Sequence, residues 1–379
     1  MDFSLPVELA LLRDSVRGFA MEHIEPHAQD WDRQNSFPDA MIKLLGDQGY
    51  MGIMISEEYG GADGNYMMFA IILEEIARYD GGLALAVEAH NGLCCQHIML
   101  AGNDAQKKKY LPPLAAGDPI GSWCLSEPDS GSDAAGMKTR AVRDGDAYVL
   151  NGSKQFITNG DRAGIYVITA VTNPEGGKNR ISAFVVERDT PGLSVGKREE
   201  KLGMRSSDTV VVQLQDVRVP PENLLGEEGK GFDTVKKVLQ RGRVMVSALS
   251  IGFARGALEE AARYARERKA FGKPIADFQL IQAKLADMAA NYEAGRMLLW
   301  KAATSLDNGN YSQYEAATAK LFISEMATKV CMDAIQVLGG YGYLRDYNVE
   351  RYMRDAKLVE IGEGTSEIMR ILIAKSLEV

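Results

Sequence analysis

The sequence predicts a mainly α-helical chain with a central β domain. Its 379 residues, 46% of them hydrophobic, exceed one small domain and point to two or three. The apolar period changes from that of a helix to that of a strand near residue 119, and back again near residue 225. Within the β block, short β-branched runs follow one another without intervening helices, which excludes a doubly wound dinucleotide-binding unit; no Gly-x-Gly-x-x-Gly is present either. The expected division is a helical domain over 1–118, a β domain over 119–224 and a helical bundle over 225–379.

Taken in order, Val7 to Ile24 carries an amphipathic pattern that Pro26 ends. A shorter helix is expected from Pro38 to Gly49, followed by a turn at Glu58–Gly64. Tyr66–Tyr79 and Leu83–Ala101 have apolar spacing of three and four. Asn103 caps a helix through Tyr110 that Pro112-Pro113 is expected to stop. Strands are expected at Ala147–Leu150, Ile165–Val171, Ile181–Val186 and Thr209–Val219, with turns at Asp144-Gly145, Asn151-Gly152, Asn159-Gly160 and Pro174–Gly177. So many short strands suggest a sandwich or barrel, which Pro220-Pro221 closes. The long helical segments Gly231–Arg268, Phe278–Leu306 and Gln313–Leu338, with a last helix at Thr365–Leu377, predict an antiparallel bundle.

A net charge of −9 argues against general nucleic-acid binding. No apolar run has the length of a membrane span, and Met1–Pro6 lacks the basic and apolar regions of a signal peptide, so a cytoplasmic enzyme is expected. Cys94, Cys95, Cys124 and Cys331 are scattered, as in a reducing compartment. His23/His27 and His90/His97 find no companion ligands, so no metal site is expected.

The chemistry gathers at three places. Glu363 sits between Gly362 and Gly364, and flanking glycines let a ligand approach the main chain closely. By itself this Glu also reads as an acidic residue at the start of a final helix. The segment Trp123–Asp133 brings hydroxyls, carboxylates and Gly131 together in one loop able to present N–H groups to a polar ring or phosphate. Phe156 and Thr158 alternate with Ile157 and so are expected on one strand face, suited to packing on a flavin or simply to a half-buried sheet.

Glu363 with its glycines, Gly339–Asp355, the two loops above, Arg268-Lys-Ala-Phe-Gly-Lys273 and Gln336-Val-Leu-Gly-Gly340 together resemble the acyl-CoA dehydrogenase family, in order and over essentially the whole chain. The likeness is to short-chain or branched-chain bacterial members, acting in fatty-acid, amino-acid or cyclic-acid degradation. The resemblance implies an FAD-dependent oxidoreductase that converts an acyl-CoA to the trans-2-enoyl-CoA. It implies Glu363 as the α-proton-abstracting base, with hydride passing to flavin N5. It also implies a helical, β, helical order of domains, a homotetramer, and an electron-transferring flavoprotein as electron acceptor.

Carried over residue by residue, the resemblance places Trp123, Leu125 and Ser126 beside the flavin ring, with Phe156 and Thr158 on its other side. Ser132 falls near a phosphate and the substrate. Arg268, Phe271, Gln336 and Gly340 hold the pyrophosphate and adenosine part across a subunit contact, and Thr365 lies near the cofactor. Arg243, Gly362 and Gly364 belong to the substrate site. Some members carry the base on a helix, just before the arginine matched by Arg243; here that position is Gly242. Asp129, Glu367 and Gly362 depart from the usual family residues. Glycine in place of tyrosine at 362 suggests a wider acyl pocket. An oxygen-using acyl-CoA oxidase and a non-catalytic protein retaining the fold are the alternatives.

Overall fold

The computed structural model describes residues 4–378; Met1–Phe3, where the reading of the leader begins, lie outside them. The first helical stretch comprises α1 (Val7–His23), α2 (Ala28–Gln34), α3 (Ala40–Asp47), α4 (Tyr66–Ala77), α5 (Gly81–Glu88), α6 (Gln96–Ala101) and α7 (Asp104–Ala115). The strands are β1 (Gly121–Cys124), β2 (Arg140–Asp144), β3 (Ala147–Thr158), β4 (Ile165–Val171), β5 (Ile181–Glu187), β6 (Leu193–Val195), β7 (Thr209–Val219) and β8 (Leu224–Leu225). The bundle has α8 (Gly231–Glu267), α9 (Gln279–Asp307), α10 (Gln313–Leu338), α11 (Val349–Val359) and α12 (Ser366–Ser376), with the short hairpin β9 (Lys269–Ala270) and β10 (Lys273–Pro274) after α8.

The sheet runs β6-β7-β3-β2-β4-β5-β8, with β1 added parallel to β4. Alternation along β4 and β5 explains why both are buried on two sides. Val167, Ala183 and Val185 face the helices, packing with Tyr110 and Leu114 of α7 and Val235 of α8. Tyr166, Ile168 and Phe184 face the other way and meet Leu150, Val210 and Val212 of β3 and β7. The curled sheet therefore packs on itself as a sandwich and on the helices as a layer. α1, α3, α4 and α5 share one continuous core with α8–α11, from Val16 and Leu45 to Phe253, Ile323 and Tyr352.

Two helical expectations need correction. α7 does not stop before Pro112 but runs through Pro112 and Pro113 to Ala115. Proline removes the bond to the carbonyl four residues back. Those carbonyls belong to exposed Lys108 and Lys109, where solvent can satisfy them, and Ala116 N–H still bonds to Pro112 O. Leu83–Ala101 is not one regular helix: a π-helical turn, Ala89–Cys95, separates α5 from α6. The wider turn directs His90 and Asn91 inward. There His90 Nε2–H is shared between the carbonyls of Met51 and Leu114, and Asn91 donates to Tyr50 O.

Candidate active site around Glu363

α11 ends at Val359, and the chain turns through Ile361 and Gly362, whose N–H groups both bond to Leu358 O. Glu363 then takes φ 54° and Gly364 φ 104°, before Thr365 caps α12 through Ile368 N–H. A glutamate in the left-handed region is uncommon and marks a constrained turn. Two buried cations hold the turn. Arg243 Nε on α8 donates to Glu363 O at 3.2 Å, and Lys320 Nζ on α10 donates to Gly364 O.

Glu363 as a residue is half-buried, but its Oε2 is fully buried and takes no N–H or hydroxyl donor. Gly242 makes room for it: a Cβ on Gly242 would stand 2.2 Å from that oxygen. Burial raises the Glu363 pKa to about 7, against the opposing pull of a hydrogen bond from Glu88 and the charges of Lys320 and Arg243. Glu88, the last residue of α5, is 1% exposed. Burial first, and then the neighbouring Glu363 charge, push its pKa well up, so it stays protonated and donates to Glu363. A buried carboxylate with no N–H or hydroxyl donor on Oε2 and a pKa near neutrality is suited to accepting a proton.

The second cluster lies where β1 and β3 end. Gln155 N–H donates to Ser126 O at 2.9 Å and Ser122 Oγ donates to Thr158 O at 2.7 Å, joining the two loops. Trp123 and Leu125 are buried, while Ser126 and Thr158 are half-buried. Phe156 does not sit in a regular pleat: a bulge between Lys154 and Ile157 gives it φ 59° and leaves it 68% exposed. Ser132 is exposed on the same loop. Asp129 points outward and pairs with Lys138 at 2.9 Å, so its charge leaves the loop interior free. Buried Lys154 supports this loop from beneath, bonding Leu125 O and Glu127.

Residues 86–97 join the two clusters. Ala86 O accepts from Asn159 Nδ2, Glu88 meets Glu363, His90 Nδ1 accepts from Gly121 N–H, and His97 Nδ1 accepts from Trp123 Nε1–H at 3.0 Å. Sequence reasoning weighed these histidines only as metal ligands and missed Glu88 and Lys320; among the described residues no group able to hold a metal is found.

A third group lies apart. Arg268 and Gly340 line one open cavity of about 510 Å³ with Tyr264, Ile275 and Tyr341. Gln336 is exposed one turn earlier on α10. Phe271 stands at the tip of the β9–β10 hairpin at φ 50°, 96% exposed.

These groups fit a cofactor with a flat ring and a phosphorylated tail. The joined β1 and β3 ends offer apolar and hydroxyl contacts. Gly131, Gly339 and Gly340 leave open backbone, with nothing within 4 Å of where a Cβ would stand. Among the described residues no helix is long and apolar enough to cross a membrane.

Family models described as the N-terminal, middle and C-terminal domains of acyl-CoA dehydrogenase match residues 7–118, 122–217 and 229–378. A probable acyl-CoA dehydrogenase of Bacillus subtilis is 46% identical over 378 residues, covering all of both chains. The butyryl-CoA dehydrogenase of Megasphaera elsdenii superposes with a TM-score of 0.97 at 40% identity, again covering both chains fully. A chain of the structure described as the electron transferring flavoprotein of Acidaminococcus fermentans gives a TM-score of 0.98 at 41% identity, covering 100% of this chain and 99% of that one.

Proposed function

The chain belongs to the acyl-CoA dehydrogenase family, and from that premise we propose that Glu363 is the base that takes the α proton of an acyl-CoA while hydride leaves the β carbon for FAD. The chain is an FAD-dependent oxidoreductase acting on acyl-CoA. The observation that supports the residue assignment is the buried Glu363 carboxyl, which faces Glu88 and takes no N–H or hydroxyl donor at Oε2, on a turn held from two sides.

When bound, FAD supplies the ring that accepts the hydride. The protein supplies orientation and proton handling. Glu363 N–H donates to no group among the described residues, leaving it free to donate to the thioester oxygen as negative charge develops there. The bonds from Arg243 and Lys320 fix the peptide planes on which that direction depends. Trp123, Leu125, Ser126, Phe156 and Thr158 border the ring, with Thr365 near the cofactor. Arg243, Ser132, Gly362 and Gly364 lie toward the substrate. Electrons then pass to an electron-transferring flavoprotein, a reading in keeping with the name of the Acidaminococcus structure. A panel of CoA thioesters mixed anaerobically with the purified protein tests the class: bleaching of bound flavin supports it, and a colourless protein that cannot be loaded with FAD contradicts it.

Glu363 must be ionised to accept a proton. The kcat/KM for flavin reduction by acyl-CoA, which reports ionisation of the free enzyme, is therefore expected to rise with pH through a midpoint near 7 and to fall away below it. A profile flat from weakly acid to weakly alkaline pH would show that another group sets the rate.

At Gly362, among the described residues and apart from its chain neighbours, a built Cβ has only Leu358 O within 4 Å, at 3.5 Å, so a larger side chain can start there without collision. Glycine leaves that volume to the acyl group. Gly362→Tyr is expected to depress activity on branched or cyclic thioesters more than on butyryl-CoA. Equal loss on both would mean that the glycine serves the turn rather than the pocket.

Phe271, projecting from the hairpin tip and 96% exposed, is the residue that a neighbouring subunit would cover in the shared cofactor half-site implied by the family resemblance. Sedimentation of the FAD-loaded enzyme is expected to give a homotetramer; an active, FAD-saturated monomer would refute the shared site.

A further inference from the structure

We propose that Lys320 is a positioning residue for the reaction: from inside the bundle it fixes the Glu363 turn through Gly364 O and places a buried positive charge next to the turn that carries the base. This rests on Glu363 being the base.

Lys320 lies on the apolar face of α10, in register with Ala316, Ala317, Ile323 and Ala327, and is fully buried. An ammonium placed there is costly unless a partner offsets the loss of water, and an apolar residue would pack at that position with no such cost. The ammonium instead reaches the first carbonyl after Glu363. Arg243, from α8, takes the Glu363 carbonyl itself. Two consecutive carbonyls of a left-handed turn are thus held by two buried cations from different helices. Among the described residues neither cation forms an ion pair with a carboxylate, in contrast to Lys154 with Glu127 or Arg354 with Asp32.

The charged groups facing the ammonium are Glu363, Arg243, Glu360 and Glu367. Glu360 already pairs with Lys357 and accepts from Thr328, and Glu367 is exposed on α12. Glu363 is left as the buried carboxylate that the Lys320 charge serves. Consistent with that, burial lowers the Lys320 pKa to about 8, with Glu363 as the leading opposing influence. An opposite charge favours the ionised carboxylate; without it the carboxyl keeps its proton to higher pH.

The test uses FAD-loaded wild type, Lys320→Met, Lys320→Gln and Glu363→Gln, with anaerobic flavin reduction by butyryl-CoA followed across pH. Met removes both charge and donor; Gln keeps a donor but no charge. In both Lys320 variants the midpoint of the rate profile is expected to move up by about one pH unit, the low end of the effect of a nearby opposite charge. Bound FAD and cooperative melting are expected to persist. An unmoved or lowered midpoint in the variants that retain FAD overturns the proposal, even where the maximal rate falls, because a merely structural lysine would change rate or melting without moving the profile. Should Met prevent folding, the Gln variant decides. Full activity of Glu363→Gln would instead refute the assignment of the base, a separate failure.

Discussion

Glu363→Gln is expected to keep FAD bound and to slow flavin reduction by butyryl-CoA by about a hundredfold to ten-thousandfold, the range for loss of a general base. Glutamine matches the shape of the side chain but cannot take a proton at this oxygen. Neither neighbouring candidate can replace it: position 242 is glycine, and burial, the larger cause of the raised Glu88 pKa, persists when the charge at 363 is removed. The fold should tolerate the change, since it removes a buried charge from a site where burial already raises the pKa. Stopped-flow reduction measures the effect directly, and unchanged kinetics would remove Glu363 from the mechanism.

Gly242→Ala is expected to impair the same step by about a hundredfold, as for a displacement of about 1 Å at a reacting group. The added methyl would lie 2.2 Å from Glu363 Oε2 and 3.0 Å from Leu93 Cδ2. A flexible carboxyl can rotate away more easily than α8 can shift, so the substitution should misplace the base while leaving FAD content and melting nearly unchanged. Wild-type reduction in Gly242→Ala would mean that the carboxyl reacts from another rotamer.

The long helices and central strands were legible because their apolar residues keep period 3.6 or 2. α11 was not, although it carries Val349, Tyr352, Ala356 and Val359 on its buried side. Charged Arg351, Arg354 and Asp355 share that side and hide the pattern. They are buried because each has a distant partner: Tyr79 O for Arg351, Asp32 for Arg354 and Met204 N–H for Asp355. The prolines of α7 misled for a related reason, since what they forfeit depends on whether Lys108 and Lys109 face solvent.

Glu363 stood out through its flanking glycines. Glu88 and Lys320 did not, for a Glu ending an apolar helix and a Lys within a bundle helix carry no local mark. Their meaning arises only when α5, α10 and the Glu363 turn converge. Phe156 was expected in a regular strand, and the bulge beside it follows from pairing with β7 that the local alternation does not encode.

The most direct test of the account is a single anaerobic turnover of the wild-type, FAD-loaded protein with butyryl-CoA, recording the visible flavin band and analysing the acyl product. The account predicts loss of the oxidised flavin band together with formation of one 2-enoyl-CoA per reduced flavin. Flavin that stays oxidised with butyryl-CoA and with branched and cyclic thioesters alike, or that bleaches without enoyl product, would contradict it.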